Sequence, residues 1–199
     1  MGFVIVIWSI HLLSLLVDFQ IQQFGISPQN INGLAGILFA PLIHGGWIHL
    51  SSNSLPVIVL GTTLFFGYPK SAKLALIGIW LISGTLTWFF ARQGVTHYGA
   101  SGLTHGLMFF LFTIGVIRRD RLAIALAMIV FFLFGNMIWS IFPNEPGISF
   151  EMHLFGGVAG VVMAILLRNR DAALPVKKYQ WENNDSEDDL IGDDWRQDK

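Results

Sequence analysis

The 199-residue sequence contains no cysteine. That absence removes disulfide scaffolds, thiolate nucleophiles and thiolate metal sites together. Charge is scarce as well: 13% of residues are Asp, Glu, Lys or Arg against 53% hydrophobic, with a mean hydropathy of +0.59. A soluble domain carries about 25% charged residues, and nucleic-acid binding would need a basic surface that this chain lacks. No His-Glu-x-x-His pattern occurs. His44 and His49 are five apart without a Glu between them, and Glu151 with His153 is too sparse a set to hold a metal, so neither metal nor cofactor is expected. Period-2 alternation and internal repeats are also missing. The first apolar run has no preceding Lys or Arg and no closing Ala-x-Ala-like site, so it is expected to remain as structure rather than leave as a signal peptide.

What is present is a series of apolar runs. They cover Phe3 to Val17, Trp47 to Phe66, Ala72 to Ala91, Ser101 to Ile117, Leu122 to Phe142 and Glu151 to Leu167. The spacing predicts six membrane-crossing helices, the first being short for a span of about 20 residues. The 17 phenylalanines and 7 tryptophans suit lipid-facing surfaces and interfacial belts. Residues 19 to 46 form an uncharged connection that mixes amide and apolar side chains, a composition suited to the interface. The expected fold is an all-α integral membrane bundle over residues 1–170.

Residues 171–199 form a separate object, with 4 basic and 9 acidic side chains against 8 and 4 in the preceding part. This acidic tail is expected to be disordered and cytoplasmic. A solvated end without a role is the favoured reading of it, and a cytoplasmic partner the alternative. Orientation follows from the basic residues: threading six spans puts 11 of 12 on one face, with Arg92 alone opposite. Both termini are therefore expected in the cytoplasm, and the bilayer concerned is expected to be a bacterial inner membrane.

With that threading, three runs deliver polar side chains to one depth in the outer leaflet. His49 and Asn53, four apart and on one helix side, enter with the second run; Ser101 opens the fourth and His153 the sixth. Polar groups inside spans are costly and usually mark function. Gly99 and Gly102 frame Ser101 and clear space for a substrate carbonyl. Gly102 with Gly106, and Gly156 with Gly160, form small-xxx-small faces that let two backbones approach. The chemistry expected is a Ser101–His153 dyad, His153 acting as base and then as acid toward the leaving amine. His49, Asn53 and the Ser101 backbone N–H are the oxyanion donors. His44 precedes the span and is expected to tie the connection in place. Water is expected from the outer side, and the contact between the second and fifth runs is expected to control substrate entry, so that Phe65→Ala or Phe131→Ala changes entry more than chemistry.

Three stretches carry a resemblance: His44-Gly-Gly-Trp-Ile-His49-Leu-Ser-Ser-Asn53, Gly99-Ala100-Ser101-Gly102 and His153-Leu-Phe-Gly156-Gly-Val-Ala-Gly160. Together, in this order, they resemble the signatures of the rhomboid intramembrane serine proteases. The resemblance implies a six-helix bundle that cleaves transmembrane protein substrates, with Ser101 as nucleophile, His153 as base, His49 and Asn53 as oxyanion donors and His44 as a structural residue. It departs in two places. His105 stands where the family often has an aromatic residue stacked on the catalytic histidine, so it is expected either to stack there or to perturb His153. The Trp-Arg pair common in the family's outer connection is missing, and no seventh helix is expected. The alternative is a non-catalytic binder of transmembrane clients, which would be expected to lack Ser101 or His153. A transporter would need polar residues along a whole path.

Overall fold

In a computed structural model of the chain, residues 2–17, 19–143 and 149–171 are described. The expected disordered tail, with Trp181 and Trp195, lies outside the described residues apart from Asp171, as do residues 144–148 of the loop before the last helix. Among the described residues the fold is all-helical, without strands. Seven α-helices follow in order: α1 Gly2–Leu16, α2 Gly36–Phe39, α3 Trp47–Gly67, α4 Ala72–Phe90, α5 Ser101–Arg118, α6 Arg121–Phe134 and α7 Phe150–Leu167. Five segments are long and apolar enough to cross a membrane: α3, α4, α5, the continuous winding from Arg121 to Ile141, and α7. At 15 residues, α1 is shorter.

The ends of these helices follow from local chemistry. Asp120 caps α6, its carboxylate accepting the Ala123 N–H at 3.1 Å. Arg119, in the left-handed conformation with φ 56°, closes α5. At the start of α4 no side chain of the preceding turn serves as cap. Asp171, buried beyond α7, does so instead, its carboxylate accepting the Lys70 N–H at 2.9 Å and the Ser71 N–H at 3.1 Å.

The core is the α5–α7 contact. Gly102 and Gly106 on α5 face Gly156 and Gly160 on α7. A Cβ built on Gly156 would overlap the Gly102 carbonyl, and one on Gly160 the Gly106 carbonyl. Only glycine permits that approach, which brings the first turns of both helices together. Around this seam pack Ile79, Leu103, Leu107, Phe110, Leu111, Ile114 and Ala159, all buried.

The fifth run departs from expectation. Instead of one helix to Phe142, α6 stops at Phe134 and a 3-10 segment continues from Gly135 to Ile141. Gly135 followed by Asn136 weakens the helix there, and the tighter winding re-aims the carbonyls of Met137 and Ser140. The connection before α3 is also structured: Ile26 and His97 pair as an antiparallel bridge with both N–H···O bonds at 2.8 Å. The second and fifth runs meet as expected, α3 against α6, with Gly67 abutting Leu126. Phe65 lines a cavity with Phe3 and Val4 of α1, while Phe131 packs on Phe112 of α5 with ring centroids 5.7 Å apart.

Candidate active site

α3 begins at Trp47, so His49 and Asn53 fall in its first two turns on one side. Asn53 Nδ2 donates to the His49 carbonyl at 2.8 Å, which fixes the amide and leaves its second N–H uncommitted. The His49 ring lies between His44, at 5.1 Å, and Tyr98, at 6.1 Å between centroids. Beneath it is Gly99, whose φ of 114° excludes an L side chain and whose Cβ would collide with the imidazole. Gly99 is thus required twice, by its own backbone and by His49.

The Gly99 N–H donates to the Ala40 carbonyl at 2.9 Å, and the Ala100 N–H to His44 Nε2 at 3.4 Å. These bonds anchor the entry to α5, whose first residue is Ser101. His44 is 1% exposed and does not line the cavity described below. Burial, then the neighbouring His49, pushes its imidazole down to about 4, which keeps Nε2 available as an acceptor.

His153 sits in the first turn of α7, and its Nδ1 lies 3.0 Å from the Ser140 carbonyl. A carbonyl only accepts, so Nδ1 carries the proton and Nε2 keeps the lone pair. His105 lies flat against this ring, with centroids 4.1 Å apart and planes at 8°. The stacking expected at this position is therefore made by an imidazole. That ring is itself held: Nδ1–H donates to the Ser101 carbonyl at 2.7 Å, and Nε2 is 2.8 Å from Ser140 Oγ. Ser101, His105, Ser140 and His153 thus form one connected set. Ser140 is not singled out by the sequence, because it reaches His153 through a backbone carbonyl in the 3-10 winding and His105 through a hydroxyl placed by the same winding. The Gly135-Asn136 pair inside an apolar run was the available signal.

Arg92, half exposed, pairs with buried Glu151 in the first turn of α7 and lies over the Phe150 ring at 5.0 Å. Ser149 hydrogen-bonds His97, whose imidazole burial pushes down against the opposing pull of Glu151. These contacts also escaped the sequence reading, since they join residues more than 50 positions apart.

The four polar residues read from the sequence meet in space. Ser101 of α5, His153 of α7, and His49 and Asn53 of α3 line one cavity of about 1090 Å3, together with His105, Ser140, Tyr98 and Arg92. Among the described residues no hydrogen bond joins Ser101 Oγ to His153, so the two share a cavity rather than a closed bond; such contacts often tighten only with substrate bound. The same residues contain no group of three or more His, Asp or Glu placed to hold a metal ion.

The family model described as Rhomboid domain matches residues 32–170. The chain belongs to the rhomboid family. This rhomboid is 34% identical over 173 residues to an uncharacterized protein of Mycobacterium tuberculosis (strain ATCC 25618 / H37Rv), covering 83% of this chain and 72% of that one. An uncharacterized protein of Mycobacterium bovis (strain ATCC BAA-935 / AF2122/97) is similar to the same extent. One of Mycobacterium leprae (strain TN) is 30% identical over 173 residues, covering 83% and 68%. No solved structure gives a significant match. The family is one of intramembrane serine proteases, and the matched residues take in the whole cavity-lining set.

Proposed function

We propose that this rhomboid is a serine endopeptidase that cuts peptide bonds in or near transmembrane segments. The observation that carries the reading is the single cavity lined by Ser101, His153, His49 and Asn53, which come from three helices and from positions up to 104 apart in sequence. In the proposed reaction Ser101 Oγ attacks the scissile carbonyl as His153 Nε2 takes its proton. The Ser140 carbonyl holds Nδ1–H throughout and stabilises the imidazolium that forms. The developing oxyanion receives hydrogen bonds from His49, from the free N–H of Asn53 and from the Ser101 N–H at the start of α5. His153 then protonates the leaving amine, and water repeats the sequence to release the acyl group.

We place α1 as a sixth crossing. Trp8 Nε1 donates to Ser54 Oγ at 2.9 Å and the His11 ring meets Trp47 edge-on at 4.8 Å, while Phe3 meets Trp80 at 5.7 Å. Later residues of α1 therefore face earlier residues of α3, and the two helices run antiparallel. At roughly 1.5 Å per residue α1 reaches about 22 Å, so the bilayer thins locally around it. The antiparallel course puts the N-terminus on the face of the basic loops, which supports a cytoplasmic location for both ends and an outward-opening site. Substrates are single-span proteins cut in the outer leaflet, with small or helix-breaking residues at the cut, because an intact helix hides its amides.

The test is cleavage of a model single-span protein in vesicles. Ser101→Ala and His153→Ala are expected to abolish it while leaving folded protein. His49→Ala and Asn53→Ala are expected to lower kcat by about 10 to 1000-fold, with KM little changed. Full activity of Ser101→Ala refutes the mechanism, and a large drop in thermal stability as the main effect at His49 or Asn53 refutes the oxyanion assignment.

A further inference from the structure

α3 contains a proline within its helical span, Pro56. Its ring nitrogen has no hydrogen, so the carbonyl of Ser52, four residues earlier, loses the N–H donor that any other residue at position 56 of this α-helix would supply. The serine hydroxyls nearby do not compensate, because a hydroxyl in a helix donates back to its own ladder: Ser51 Oγ donates to the Trp47 carbonyl at 2.7 Å, Ser52 Oγ to the His49 carbonyl at 3.0 Å and Ser54 Oγ to the Leu50 carbonyl at 2.7 Å. An unpaired carbonyl in a bilayer is costly, and acyl chains offer it nothing.

Ser52 and Pro56 also occupy a particular place. Both line the cavity that holds Ser101, and both line a second groove of about 580 Å3 on the outer face of α3 with Trp47, Ile48, Ser51 and Leu55. That face is bare, Ile48 being 88% and Leu55 63% exposed. The Ser52–Pro56 ridge is thus the threshold between the exposed groove and the cavity.

Resting on the protease reading above, we propose that the Ser52 carbonyl, freed by Pro56, docks the substrate by accepting a backbone N–H from an extended stretch of its chain. A transmembrane helix has its interior N–H groups already paired, and lipid acyl chains have none to give. An unwound peptide segment entering over α3 has them in a row. The carbonyl therefore favours the conformation in which the scissile bond is accessible, at the wall of the cavity that Ser101 also lines.

Full-length enzyme in vesicles is tested against a designed single-span protein with a Gly-Ser pair in its outer-leaflet third. Pro56→Ala restores an N–H to the Ser52 carbonyl. It is expected to raise KM about tenfold with kcat within threefold, to leave fluorophosphonate labelling of Ser101 within twofold, and to leave the melting temperature equal or higher. Replacing single amides of the substrate by esters, which removes one N–H at a time, is expected to find a position that raises KM for the natural enzyme and has no further effect on Pro56→Ala. An unchanged KM overturns the proposal, as does an ester series that acts equally on both enzymes. A joint fall in stability and labelling of Pro56→Ala also overturns it, since the proline would then shape the site rather than free an acceptor. Failure of the natural enzyme to be labelled at Ser101 strikes instead at the protease reading.

Discussion

His44 shows how one residue links burial, protonation and the site. It is 1% exposed and receives the Ala100 N–H on Nε2, an arrangement that needs the neutral ring. With its folded value near 4 and an unfolded value of 6.5, the unfolded chain binds the proton more readily between those limits. The stability His44 contributes is complete above pH 6.5 and is lost as pH falls toward 4. Melting temperatures measured at pH 7 and pH 5 are therefore expected to drop for the natural protein and to drop less for His44→Gln, which keeps an acceptor but cannot be protonated. Equal drops would remove His44 from the account. At this scale much of the site was legible: an imidazole, an amide or a serine inside an apolar run costs enough to stand out. Backbone groups carry no such mark, which is why the Ser140 carbonyl and the tautomer it selects emerged only from the fold.

Helices were legible where their signal is their own composition. The apolar runs at α3, α4, α5 and α7 match their observed bounds within a residue or so, and the glycine pairs of α5 and α7 announced a close contact. Pairings set by shape were less readable. The Gly135 break, the short helices before α3 and the residues at which α3 meets α6 all depend on neighbours distant in sequence. The α5–α7 seam offers a direct contrast. Gly156→Val drives a Cβ into the Gly102 carbonyl, where no flexible side chain can yield, and is expected to cost about 3 kcal/mol or more. Gly61→Ala meets nothing within 4 Å and is expected to be neutral or to stabilise by up to about 1 kcal/mol. Reversible unfolding in mixed micelles measures both, and a mild effect at Gly156 would mean that the seam is looser than described.

For the whole molecule, the claim is that one end of a bundle is built for chemistry and the other for anchoring. Asp171 fastens the end of α7 to the start of α4, and Arg118 lies over the Tyr68 ring at 5.5 Å and pairs with Asp120 at 2.8 Å, all at the end remote from Ser101. Because the chain lacks cysteine, single cysteines can report which end faces out. Cysteines placed at Asn30 or Asn144 are expected to react with an impermeant maleimide on intact cells, and those at Lys70, exposed in the turn before α4, or Asp185 only after the membrane is opened. Labelling at position 70 from outside would invert the bundle and move the site to the cytoplasmic leaflet. The central claim, however, is that Ser101 is a nucleophile made reactive by His153. Its most direct measurement is mass-spectrometric mapping of a fluorophosphonate adduct on the vesicle-embedded protein. The account predicts an adduct on Ser101 that disappears in His153→Ala; an adduct elsewhere, or one on Ser101 formed at the same rate without His153, contradicts it.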